Sequence, residues 1–105
     1  MLYAEVAVDA LILEPKTYTY SIPKDMDVSV GQMVQVPLRN QFVDGIVTDI
    51  KDSVDLSYAK PINKADDIGS LLDSHQIYLA RWISDYYFTS LYTCLALMLP
   101  PTFTN

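Results

Sequence analysis

A mainly β fold with helices at its C-terminal end is the class this sequence predicts, and three observations predict it. Through about residue 68 the apolar residues recur with a period of two, punctuated by Pro, Gly, Asp and Asn. After residue 73 the period lengthens to that of a helix. Half of the 105 residues are apolar, enough for the core of one small domain. A small, mostly antiparallel barrel over 1–68 is therefore expected, followed by a helical segment over 69–99 packed on it. Residues 100–105, opening on a double proline, are expected to begin a linker to further domains, as in a piece of a longer protein.

Each element follows from its own residues. "LYAEVAV" alternates, with Tyr3 out of phase with Ala4, Val6 and Val8. Pro15 and Pro23 bracket a strand from Thr17 to Ile22. Tyr18, Tyr20 and Ile22 share one of its faces, and Thr17, Thr19 and Ser21 the other. "KDMDVSVGQ" is a connector in which Gly31 can take positive φ. "MVQVPL" and "FVDGIVTDI" form two strands joined by a turn at "RNQ", and Gly45 marks a bulge or a close backbone approach. A polar stretch leads to a fifth, short strand near Lys60–Lys64, and the acidic "ADD" after it reads as a turn. Leu79, Trp82, Ile83 and Tyr86, widened by Tyr87, are spaced as the inward stripe of a helix capped by Asp73 or Ser74. Leu91, Cys94, Leu95 and Met98 repeat the pattern in a shorter helix ended by Pro100 and Pro101.

Composition excludes several classes of function. One cysteine, Cys94, rules out an internal disulfide framework and fits a reducing, cytoplasmic setting. No apolar run reaches the ~18 residues of a membrane span, so no membrane partner is expected. His75 stands alone at the expected start of a helix, so no zinc site can be assembled from His and Cys, and three glycines do not make a phosphate loop. No cofactor and no catalytic constellation is expected in this chain. Eight tyrosines point to binding instead, because small barrels hold single-stranded nucleic acid by stacking bases on such rings. Thirteen acids against seven bases give a net charge of −6, which argues against gripping a long phosphate backbone.

Taken together, "YAEVAV", "YTYSIP", "VGQMVQVPL", "GIV", a lysine-bearing strand, "WISDYYF" and a closing "LP" resemble, in order and spacing, the N-terminal domain of primosomal protein N′, the bacterial replication-restart helicase family PriA. The resemblance spans nearly the whole chain. It implies an OB-like antiparallel barrel plus two short helices that binds the 3′-terminal nucleotide of the nascent leading strand at stalled forks. The implied partners are the single-stranded 3′ end at branched forks, other domains of the same chain and other primosome proteins. ATP-driven 3′–5′ helicase lobes, a winged helix and a zinc-binding region are implied for the remainder of such a protein. Carried over position by position, the 3′-end pocket would use Tyr18, Thr19, Arg39 and Lys60. Two departures stand out: Thr19 occupies a position where the family commonly has aspartate, and Leu38-Arg39 replace the usual Phe-Gly.

A different class competes with this reading. The acidic charge also suits a barrel that docks a basic protein and touches no DNA, and fold alone does not arbitrate. A monomer is expected in either case.

Overall fold

The computed structural model describes residues 1–53 and 55–100; the rest of the expected linker at 100–105, beyond Pro100, lies outside them. Six strands, β1 (Leu2–Val8), β2 (Tyr18–Ser21), β3 (Gln32–Leu38), β4 (Gln41–Asp52), β5 (Lys60–Pro61) and β6 (Lys64–Ser70), precede α1 (Ser74–Tyr87) and α2 (Leu91–Ala96). The strands form one sheet in the order β5-β2-β1-β4-β3-β6, curled into a half-barrel with the helices on its outer side. Every pairing is antiparallel except the two-residue match of β5 to β2.

The fifth strand expected near Lys60–Lys64 is instead two strands with a crossing between them. Pro61 has no N–H with which to extend its ladder. Ile62 N–H then bonds Ser21 O at 3.0 Å on one edge of the sheet, and Asn63 N–H bonds Gln35 O at 2.8 Å beside the other. One short segment thus joins the two edges, and the buried Ile62 fills the space beneath it. Tyr20 reinforces this closure: its ring crosses the interior from β2 and its hydroxyl donates to Pro37 O on β3 at 2.8 Å. The "ADD" turn lies within β6, where pairing jumps from Val34↔Ala65 to Gln32↔Ser70 and Gly69 adopts φ +85°.

Two cores result. Ala4, Val6, Val8, Tyr20, Val34, Val36, Val47 and Ile62 fill the concave side. Ala7, Ile46 and Leu72 meet Ile77, Ala80, Leu91, Cys94 and Leu95 of the helices on the convex side. β1 is therefore buried on both faces. Gly45 is required by a close approach, since a Cβ there would meet Val6 Cγ1 at 2.5 Å; the bulge itself falls nearby, where β1 pairing skips Thr48. Burial pushes the Cys94 thiol up, with nearby Lys16 opposing, as suits an inert packed cysteine.

The helices show one inversion. Asp73 caps α1 in a reciprocal box with Gln76, as its position predicts. The buried face of α1, however, is Ile77, Ala80 and Ser84, while Leu79, Trp82, Tyr86 and Tyr87 of the expected inward stripe are exposed and Ile83 is half-buried. Small residues let the helix approach the sheet closely, so the large ones turn outward.

Candidate nucleic-acid interface

The type of turn between β3 and β4 sets one wall of the site. Leu38 pairs with Gln41, leaving a two-residue loop in which Arg39 (φ 52°) and Asn40 (φ 66°) are both left-handed. Such a loop matches the twist of the flanking strands, and it holds Arg39 at the mouth of the half-barrel. β2 begins opposite, with Tyr18 as its first paired residue. The segment entering β5 brings Tyr58 and Lys60 to the same end.

A cavity of about 350 Å³ lies between these pieces, lined by Thr17, Tyr18, Thr19, Tyr20, Pro37, Leu38, Arg39, Tyr58 and Lys60. All four residues singled out in the sequence, Tyr18, Thr19, Arg39 and Lys60, fall on this lining. Its only charged side chains are the two cations. Tyr18 is half-buried against the concave core, on the same side as Tyr20, and its place at the strand end brings its ring to the cavity. Tyr58, exposed within a polar stretch, follows no strand or helix pattern, and its only mark in the sequence is a lone aromatic among Asp, Ser and Lys.

The hydroxyl side of β2 has a definite function. Thr17 donates to Glu5 Oε1 at 3.0 Å and Thr19 to Glu5 Oε2 at 2.5 Å, while Lys51 Nζ lies 3.1 Å from Oε2. Burial raises the Glu5 pKa, but the bonds from Thr19, Lys51 and Thr17 outweigh it and hold the carboxyl below the usual range. With its hydrogen committed to Glu5, the Thr19 hydroxyl keeps acceptor capacity only, on the face of β2 opposite Tyr18 and Tyr20. Burial, with Tyr18 adding to it, pushes Tyr20 up to about 12, so it stays a neutral donor to Pro37 O.

The acidic charge lies elsewhere. Asp25, Asp27, Asp66 and Asp67 line a separate cavity of about 470 Å³ between the loop before β3 and the bulge of β6. Among the described residues no group of three His, Cys, Asp or Glu side chains could hold a metal, and no helix is long and apolar enough to cross a membrane.

Comparison with known proteins gives concordant matches. The family described as the 3′ DNA-binding domain (3′BD) of PriA matches residues 5–100. A replication restart protein PriA of Chlamydia muridarum is 38% identical over 112 residues, covering 99% of this chain and 15% of the relative. Its counterpart in Synechocystis is 34% identical over 103 residues, covering 94% and 12%. That of Rickettsia conorii is 31% identical, covering 77% and 12%. The chain thus spans about an eighth to a seventh of the length of these relatives.

Proposed function

This chain belongs to the PriA 3′ DNA-binding domain family, and from that premise we propose that it binds the 3′-terminal nucleotide of a DNA strand in the cavity at the mouth of the half-barrel. The observation that carries the proposal is the convergence of Tyr18, Tyr58, Arg39, Lys60 and Thr19 on one acid-free cavity in a chain of net charge −6. The aromatic rings offer a face to the terminal base, and the two cations pair its phosphate. Thr19 borders the same cavity at the open end of β2, while its hydroxyl, bonded to Glu5 on the opposite face of the strand, fixes the strand that carries Tyr18. A 3′-phosphate adds charge and bulk at the strand end where a 3′-hydroxyl adds neither.

In this role the chain is the binding module of a replication-restart protein acting at stalled forks in the cytoplasm. Helicase activity, ATP and zinc belong to other parts of a polypeptide of the relatives' length, as do contacts with primosome proteins. One stacked base contributes about 1–3 kcal/mol and each hydrogen bond about 1 kcal/mol, so affinity falls between millimolar and tens of micromolar.

A chemical-shift titration with two short oligonucleotides, one ending in a 3′-hydroxyl and the other in a 3′-phosphate, tests this. Shifts at Tyr18, Thr19, Arg39, Tyr58 and Lys60, stronger for the hydroxyl end, are expected. If neither oligonucleotide moves these residues at millimolar concentration, the cavity is not a nucleotide site and docking of a basic protein becomes the better account.

A further inference from the structure

Tyr3 is the bulkiest of the fully buried side chains, 1% exposed, yet it belongs to neither core. Alternation along β1 puts it on the convex face with Glu5 and Ala7, opposite Ala4, Val6 and Val8. Its hydroxyl accepts the Leu56 N–H at 2.6 Å, and its own hydrogen is taken by Met1 Sδ at 3.2 Å or Asp55 Oδ1 at 3.5 Å. Ala59 N–H then bonds Leu56 O at 3.0 Å, closing a turn with Ser57 and Tyr58 at its tip. β5 follows at once, where Lys60 pairs with Tyr20. The turn is thus held by the Tyr3 hydroxyl at one end and by the sheet at the other, while Tyr58 stays exposed.

Two rings reach the cavity at the barrel mouth from opposite faces of the sheet. Tyr18 comes from the concave side, and Tyr58 from a turn anchored on the convex side. Glu5 pushes the Lys51 pKa up and Tyr58 adds to the rise, which sets Tyr58 on the side of the Glu5–Lys51 pair.

We propose that the buried Tyr3 hydroxyl is a positioning group: it fixes the turn carrying Tyr58, so that the terminal base is clasped between Tyr58 and Tyr18. This inference rests on the cavity being the nucleotide site proposed above. Tyr3 itself is not on the cavity lining and touches no ligand. A ring on a free loop would have to be ordered when the base arrives, whereas the Tyr3 bond orders its backbone beforehand. Every base has a π-face, so the clasp works whichever base ends the strand.

A chemical-shift titration of the 105-residue chain and its variants with a short oligonucleotide ending in a 3′-hydroxyl tests the proposal. Tyr58→Ala should weaken binding about fivefold or more, the loss of one stacking face, and Tyr58→Phe should recover most of that loss. Tyr3→Phe keeps the buried ring and should weaken binding about two- to tenfold, as one hydrogen bond contributes. In a chain already carrying Tyr58→Ala, Tyr3→Phe should have no further effect. Equal weakening with and without the Tyr58 ring would mean that the hydroxyl supports the barrel at large, and the positioning role falls. A Tyr3→Phe chain that binds as the parent does overturns it too. If Tyr58→Ala leaves affinity unchanged while Tyr18, Arg39 and Lys60 still shift, the clasp is overturned and the nucleotide site stands. If none of these residues shifts in the parent chain, the site and the inference built on it fall together.

Discussion

Arg39 keeps a left-handed backbone at φ 52° where glycine would sit without strain. For a side chain with a Cβ that conformation costs about 1–2 kcal/mol, while glycine would give back about 0.5–1 kcal/mol through the entropy of the unfolded chain. Arg39→Gly should therefore stabilise the fold by about 0.5–1 kcal/mol in urea denaturation and yet weaken binding of a 3′-hydroxyl end. Loss of stability would mean that the guanidinium holds the turn together and is not kept for a ligand. Glu5 allows a second prediction. Its pKa is lower folded than unfolded, so the stability it contributes is fully present above about 4.5 and is lost as pH falls through the folded value. Glu5→Gln should lower stability at pH 7 and flatten its decline below pH 4.5, read from unfolding midpoints across pH. An unchanged acid limb would show that the threonine bonds do not hold the charged form. The two sides of β2 were legible from alternation alone, but the Thr–Glu–Thr bridge was not. It depends on the register Glu5↔Thr19, and the connection between β1 and β2 is too long to fix register by turn type.

Helix α1 shows what sequence periodicity conveys and what it leaves open. Its start was legible, because Asp73 followed by Gln76 at the third helical position forms a reciprocal cap. Asp73→Ala should cost about 1 kcal/mol, measured by thermal or chemical unfolding; a change below a few tenths would show that packing of Ile77 and Ala80 alone sets the helix end. The face it buries was not legible. The sequence carries one stripe of large apolar residues and another of Ile77, Ala80 and Ser84, and helical spacing fits both. Close approach decides between them. Ala7 and Ile46 leave shallow relief on the convex side of the sheet, where only small residues let the helix seat. Ser84 uses its place there: its hydroxyl donates to Thr89 O and accepts from Lys16 Nζ, both at 2.6 Å, tying the end of α1 to the chain entering β2. The split of the expected fifth strand follows from Pro61, visible in the sequence, but the crossing it permits depends on two distant edges meeting, which local pattern does not encode.

At the scale of the molecule, net charge alone is a poor guide to what this chain binds. The aspartates at 25, 27, 66 and 67 gather between the loop before β3 and the β6 bulge, whereas the mouth of the half-barrel carries Arg39 and Lys60 and no acid on its lining. If the proposed reading holds and the site engages one strand end in place of a length of backbone, it neutralises one or two phosphates. On single strands each neutralised phosphate contributes about −0.7 to the slope of log affinity against log salt, so a total between about −0.7 and −1.4 is expected. Removing one contact should make the slope shallower by one such step while leaving base stacking intact. Lys60→Ala is the suitable variant, because Lys60 is exposed and its removal leaves no buried partner unpaired. Its binding should be weaker than the parent's at low salt, and the two should converge as salt rises. A parent slope steeper than about −2 would instead mean that a strand tracks over a larger basic surface than this chain presents. A slope near zero would take Arg39 and Lys60 off the phosphate and leave the rings and Thr19 as the whole of the site.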